Sequence, residues 1–216
     1  MALQRLFAEV EQRLDADAAH DIGHLLRVAD WTVRLCPDVE PRTSIAASLL
    51  HDIVNVPKNH VDRPVASERS ADVARELLPP LGFDARTTEL IAEAIVDHSF
   101  SRGAIPRSAL GRALQDADRL EALGVIGTFR CIATGVRFGA RFFDDADPWA
   151  INRPLDDKRF SVDHFFTKLL TLPATFQTIE ARAEADRRVA VMYTLLDALG
   201  EELSGDGGRG MGEGGR

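Results

Sequence analysis

The chain has 216 residues, of which 45% are apolar, and a net charge of −8, which fits one soluble domain with a sizeable core. The negative charge disfavours a broad nucleic-acid-binding or membrane-binding face, because both need basic surface. The chain has two cysteines, an acidic amphipathic N-terminus unlike a signal peptide, and no apolar run of about 18 residues. A cytoplasmic protein without a disulfide framework is therefore expected.

Helical periodicity predominates, with apolar residues recurring every three or four positions. The predicted helices are, in chain order, Leu3 to Leu14, "DIGHLLRVADWTVRLC", "RTSIAASLLHD", "PVASERSADVARELLPP", "ARTTELIAEAIVDHS" with Asp84 as its cap, "RSALGRALQDADRLEALGVIGTFRCIATGV", "DDKRFSVDHFFTKLLTL" and "ATFQTIEARAEADRRVAVMYTLLDAL". Residues 139–160 look like a long loop, and the Gly-rich tail 204–216 is expected to be disordered. With no alternating strand pattern, the sequence predicts an all-α domain over residues 1–203.

Four potential metal ligands lie on the apolar faces or at the ends of separate predicted helices: His24, the doublet His51-Asp52, and Asp118. A single inward histidine is more often a core residue hydrogen-bonded to a carbonyl. Four polar groups aimed at one core need a common partner, because burying them unpaired is costly. A divalent cation is such a partner, since imidazole nitrogens and carboxylate oxygens are its usual ligands.

Five segments together resemble the HD-domain metal-dependent phosphohydrolase superfamily, and a small bacterial subgroup in particular, over residues 18–178. They are "DIGHLLRV", "SLLHDIVN", "AIVDHSF", "QDADRLEALG" and "RPLDDKRFSVDHFFTKLLTLP". The resemblance implies a single-domain, HD-type helical bundle with a metal site in its helical core. The metal ligands that it implies are His24, His51, Asp52 and Asp118. Periodicity alone does not separate Asp116 from Asp118, whereas the family pattern "ADRL" selects Asp118 and leaves Asp116 as an acceptor that orients a ligand histidine.

The same resemblance implies hydrolysis of a small phosphorylated molecule, with a nucleotide favoured. One divalent ion (Mn, Fe, Co, Ni, Zn or Mg) would polarise a phosphoryl oxygen and activate a water molecule. Asn55 stands where many nucleotide-hydrolysing members carry a glutamate, and an amide cannot accept the proton of water. Asn55 therefore orients water or caps the turn, and Asp52 is the candidate that both binds metal and assists catalysis. Only His60 and His98 match the extra histidines of dinuclear members, and His60 fits poorly, which favours one metal.

Four further residues are candidates for binding substrate: Lys58, His98, His164 and Lys168. Lys58 and Lys168 would contact phosphates. His98 stands where related domains place a substrate-facing or second-metal histidine, and substrate contact is favoured over a hydrogen bond in the core. Asp163 is interpreted as half of a helix-end ion pair. Two alternatives stay open: a di-iron oxygenase on the same scaffold, and a non-catalytic nucleotide-binding regulator, which Asn55 motivates. The sequence does not predict the oligomeric state.

Overall fold

The structure, a computed structural model, describes residues 2–13, 21–54, 65–99, 103 and 105–204. These residues form α-helices joined by turns and loops, with no β-strand among them, so the predicted all-α class is confirmed. The α-helices are α1 (Ala2–Arg13), α2 (Ile22–Leu35), α3 (Pro41–Leu50), α4 (Ala66–Leu77), α5 (Ala85–His98), α6 (Ala109–Leu120), α7 (Gly124–Arg137), α8 (Ser161–Thr167) and α9 (Ile179–Ser204). Within the described ranges, no helix is both long enough and apolar enough to cross a membrane.

The described chain divides into two compact units. The first contains the residues up to Glu121 together with Thr175–Ala181, and the second contains Ala122–Ala174 together with the residues from Arg182 onward. In the first unit, α2 packs against α3 and α6, while α5 packs against α4 and α6. In the second unit, α7 packs against α8. The domain boundary near residue 203 stays a prediction, and residues 205–216 lie outside the described residues.

Side-chain caps fix where α2, α5 and α6 of the first unit begin. Asp21 accepts a hydrogen bond from the His24 backbone N–H at 2.8 Å, which starts α2 and places His24 in its first turn. Asp84 accepts one from the Thr87 N–H at 2.9 Å, so the cap predicted for α5 is confirmed. Ser108 caps α6 in the same way.

An apolar core holds the ends of these helices in place. Leu49 and Leu50, the last two residues of α3, are buried next to the His51-Asp52 doublet. Leu114 and Ala117 on α6 are also fully buried. Truncating a buried leucine to alanine costs about 2–5 kcal/mol, so a change such as Leu50→Ala would loosen the segment that carries the doublet.

The predicted long helix through "LQDADRLEALGVIGTF" is two helices in the structure. Helix α6 ends at Leu120, and α7 begins at Gly124, whose φ of +70° cannot continue a right-handed helix. A Cβ on Gly127 would come within 2.2 Å of the Ala122 backbone, so the turn also needs glycine there. The sequence missed this break because the apolar periodicity is helical on both sides of it. The loop predicted over 139–160 is confirmed, since no helix lies between α7 and α8.

Candidate metal centre

Three buried histidines in the first unit each direct one ring nitrogen at an oxygen. His24 lies in the first turn of α2, His51 directly follows α3, and His98 is the last residue of α5. The Nδ1 atom of His24 lies 3.5 Å from the Glu121 carboxylate. The Nδ1 atom of His51 lies 2.7 Å from the Ser48 carbonyl oxygen, and that of His98 lies 2.5 Å from the Ile95 carbonyl oxygen. A carbonyl or a carboxylate only accepts, so in each neutral ring the hydrogen-bond network assigns the proton to Nδ1 and the lone pair to Nε2.

The Nε2 atoms of these histidines point at two carboxylates. Asp118 Oδ1 lies 3.6 Å from His24 Nε2 and 3.8 Å from His51 Nε2. Asp52 places Oδ2 at 3.6 Å from His51 Nε2 and Oδ1 at 3.6 Å from His98 Nε2. Lone pairs and anionic oxygens that face one another repel unless a cation lies between them. The arrangement therefore has the electrostatics of a cation site.

His51 carries the clearest sign of a missing partner. Its ring is fully buried, and within the described residues its Nε2 has no hydrogen-bond partner. Burial lowers the pKa of His51, but the charges of Asp52 and Asp118 outweigh it and raise that pKa to about 9. The histidines in turn hold the pKa of the Asp118 carboxyl well below its usual range, against the opposing effect of burial. A positive charge, whether a proton or a metal ion, is thus favoured at this point.

The donor set fits a divalent transition metal. The candidate ligand atoms of His24, His51 and Asp118 all lie within 4.8 Å of one another, as do those of His51, Asp52 and His98. Two ligand atoms at about 2.1 Å from one metal are separated by about 3.0–3.4 Å at octahedral or tetrahedral angles. The separations of 3.6–3.8 Å therefore need to close by only a few tenths of an ångström. Nitrogen and carboxylate donors suit Mn, Fe, Co, Ni or Zn.

The two ligand groups share one atom, and this limits the number of ions. Both need His51 Nε2, which has a single lone pair, so they describe one centre rather than two independent sites. Once His51 Nε2 binds one ion, the second group retains Asp52 and His98 as its two remaining members.

Asp116 lies two residues before Asp118 and has a different role. It is fully buried, and its oxygens accept hydrogen bonds from the Gln177 N–H at 2.9 and 3.1 Å and from the Thr178 N–H and hydroxyl at 2.8 Å. Asp116 therefore anchors the turn before α9. The acid that faces the Nδ1 atom of a candidate ligand histidine is Glu121, so Asp116 is not the orienting acceptor that the sequence suggested.

Sequence reasoning missed Glu121 and Arg27. Glu121 is fully buried, and its Oε2 accepts a hydrogen bond from Arg27 Nε at 2.7 Å besides facing His24 Nδ1. Burial raises the pKa of Glu121, but its contacts with His24 and Arg27 outweigh burial and lower it. The available signal was spacing, because Glu121 follows Asp118 by three residues and Arg27 follows His24 by three, so each pair shares one helical face.

The remaining predicted residues are placed as follows. Asn55 and Lys58 lie outside the described residues, and their roles stay predictions. His98 lies beside Asp52. His164 and Lys168 belong to the second unit, where His164 Nδ1 lies 2.9 Å from Asp157 Oδ2 and Lys168 directly follows α8. Their contact with substrate also stays a prediction.

Asp163 forms the ion pair that the sequence suggested. It lies in the first turn of α8, is fully buried, and accepts two hydrogen bonds from the Arg153 guanidinium, at 2.5 and 2.8 Å. A paired guanidinium and carboxylate in this geometry stabilise the loop before α8. Asp163 is therefore a structural residue of the second unit.

Comparison with known proteins gives consistent matches. Residues 21–123 match the HD domain family. The Bacillus subtilis protein YpgQ is 28% identical over an alignment of 198 residues, which covers 88% of this chain and 88% of YpgQ. The crystal structure of YpgQ in complex with ADP superposes with a TM-score of 0.73 at 23% identity, covering 95% of this chain and 99% of YpgQ. An HD-superfamily hydrolase from Bacillus thuringiensis superposes with a TM-score of 0.69 at 25% identity, covering 94% of this chain and 97% of that protein.

Proposed function

The chain belongs to the HD-domain superfamily, and on that premise we propose that it is a metal-dependent phosphohydrolase acting on a small phosphorylated molecule, with a nucleotide as the favoured class. The observation that carries the proposal is His51 Nε2, which is fully buried, has no hydrogen-bond partner in the described part of the chain, and faces Asp52 and Asp118. A purely structural histidine in a core would have its second nitrogen hydrogen-bonded.

His24, His51, Asp52 and Asp118 are the proposed ligands of one divalent ion. When bound, the ion supplies a Lewis acid that polarises a phosphoryl oxygen and lowers the pKa of water. Asp52 is the residue proposed to assist, because its Oδ2 faces His51 and would bind the ion, which would leave Oδ1, on the side of His98, to accept a proton from water. His98, which lies beside that oxygen, is proposed to orient the substrate.

The nucleotide class rests on two supports. YpgQ, a relative over most of its length, was crystallised with ADP. The sequence also places Lys58, His164 and Lys168 in segments that resemble the substrate-binding parts of the family. On a protein with a net charge of −8, a polyphosphate needs a local group of basic side chains beside the metal.

A second candidate is a dinuclear oxidative enzyme on the same scaffold. One observation favours it: the two oxygens of Asp52 face different histidines, which is the arrangement of a carboxylate that bridges two metal ions. Two irons per chain and substrate-dependent oxygen consumption would support this candidate. One metal per chain without oxygen consumption would exclude it.

The deciding experiment is a substrate and metal panel. The protein is stripped with a chelator and reloaded with Mn²⁺, Fe²⁺, Co²⁺, Ni²⁺, Zn²⁺ or Mg²⁺. Each form is assayed for release of phosphate and pyrophosphate from nucleoside tri-, di- and monophosphates and from a simple phosphate monoester. Asp118→Asn is the matched inactive control. Hydrolysis by the wild type that requires metal and is absent in the control supports the proposal, while nucleotide binding without turnover under every metal would indicate a regulator.

A further inference from the structure

A fully buried acid lies directly behind one of the candidate metal ligands. Glu121, the residue that follows α6, places Oε2 at 3.5 Å from His24 Nδ1, on the side of the ring opposite Asp118. The same oxygen accepts the 2.7 Å hydrogen bond from Arg27 Nε. A buried carboxylate is costly without a partner, and Arg27, with 40% of its side chain exposed, supplies the compensating charge from the protein surface.

This environment distinguishes His24 from the other two histidines of the centre. The Nδ1 atoms of His51 and His98 face backbone carbonyls, which no substitution of a side chain removes. The Nδ1 of His24 faces a carboxylate, which donates more electron density to the ring and can be altered by mutation. An imidazole whose Nδ1–H faces an ionised carboxylate is held in one tautomer and has a more basic Nε2.

We propose that Glu121 is a positioning residue of the metal centre: it fixes the Nδ1–H tautomer and the ring orientation of His24, and Arg27 holds the Glu121 carboxylate in place. This role rests on the proposed function, because it requires that the centre binds a divalent ion. Glu121 itself does not touch the ion or the substrate. Its effect is on the affinity of the site for metal.

The test measures metal binding without any activity assay. Zn²⁺ dissociation constants are determined by competition with a chromophoric chelator for wild type, Glu121→Gln and Glu121→Ala. The matched control is Asp116→Asn, which alters a fully buried carboxylate on α6 that contacts the turn before α9. Circular dichroism, with all proteins kept below their unfolding transitions, checks that each is folded.

The expected result is a graded loss of affinity. Residues that orient a ligand histidine typically contribute about 10–100-fold to metal affinity, and the 3.5 Å contact is long for a hydrogen bond, so Glu121→Ala should weaken Zn²⁺ binding about tenfold. Glu121→Gln keeps an acceptor oxygen and loses the charge, so it should fall between wild type and Glu121→Ala. Asp116→Asn should bind Zn²⁺ as the wild type does.

A second readout reports on His24 directly. In the Zn²⁺-loaded protein, the Nδ1–H proton of His24 should give a downfield NMR resonance that shifts or disappears in both Glu121 variants. The corresponding resonances of His51 and His98 should stay, because their acceptors are backbone carbonyls. A general loss of packing would instead shift the Nδ1–H resonances of all three histidines.

Three outcomes overturn the role of Glu121. The first is that both Glu121 variants bind Zn²⁺ with wild-type affinity. The second is that Asp116→Asn loses as much affinity as the Glu121 variants, which would show a general effect of removing a buried acid. Failure of the wild type itself to bind any divalent ion would overturn the proposed function and this role with it. The two failures are therefore distinguishable.

Discussion

Asp116 and Asp118 lie two residues apart on α6, and exchanging each for asparagine should separate folding from metal binding. Asp118 faces His24 and His51, whereas Asp116 accepts hydrogen bonds from the turn before α9. We expect Asp116→Asn to lower stability and keep the response to metal. Asp118→Asn should abolish most of the response to metal.

The magnitudes follow from the contacts. In Asp116→Asn, one acceptor oxygen becomes an NH₂ group that faces hydrogen-bond donors. Because hydrogen bonds to a charged group are worth about 1.5–3 kcal/mol each, the free energy of unfolding should fall by about 3 kcal/mol. For a chain of this length, that corresponds to about 6–12 °C in Tm. A metal ion at a hundred times its Kd stabilises the wild type by about 2.7 kcal/mol. A hundredfold weaker site in Asp118→Asn would retain only about 0.4 kcal/mol of that increment.

The assay is thermal unfolding of wild type and both variants, each with a chelator and with a fixed excess of divalent ion. The quantity compared is the increase in Tm that metal causes, because this difference cancels any effect of a substitution on the metal-free protein. Wild type and Asp116→Asn should show an increase of about 5–11 °C, and Asp118→Asn an increase near zero. A full metal response in Asp118→Asn, or none in Asp116→Asn, would refute the assignment of the two carboxylates.

Three further predictions concern the ligands and the residues around the substrate. The double variant His51→Ala, Asp52→Ala should lose the metal while keeping most of its helix content, as measured by metal analysis and circular dichroism. Full metal occupancy in this variant would contradict the proposed ligand set. Asn55→Ala should lower kcat about tenfold or less, below the usual general-base contribution of about 10²–10⁴, and a larger loss with metal retained would show that Asn55 is essential. Lys58→Ala and Lys168→Ala should each lower kcat/KM for a nucleoside triphosphate by about 10–100-fold, mainly through KM, with a smaller effect on the monophosphate; wild-type kinetics would remove them from the site.

The features of the site that could be predicted from the sequence are those that local pattern determines. Apolar periodicity predicts the helices, and polar residues that interrupt an apolar face mark His24, His51 and Asp118 as candidates. The structure brings these three together because α2, α3 and α6 pack against one another. Resemblance to a known family was needed to choose Asp118 over Asp116, since both acids interrupt the buried side of one helix.

The features that could not be predicted depend on contacts between distant segments. Glu121 in "RLEALG" has the sequence character of an exposed acid at a helix end, and only the packing of α2 against α6 buries it against His24 and Arg27. The break between α6 and α7 depends on the positive φ of Gly124, which periodicity does not record. Asp116 anchors Gln177, which is 61 residues away in the chain.

The way in which each histidine is oriented follows from its position on its helix. His51 and His98 lie at the C-terminal ends of α3 and α5, where the last carbonyls have no partner within the helix, and each ring donates to the carbonyl three residues earlier. The same ends carry the negative pole of the helix dipole, which favours a cation there. His24 lies in the first turn of α2, where the Asp21 carbonyl already accepts from the Leu25 N–H. A helix N-terminus offers a ligand histidine neither a free carbonyl nor a favourable dipole. His24 therefore depends on an acceptor from another segment of the chain, and Glu121, the residue that follows α6, faces its Nδ1 atom.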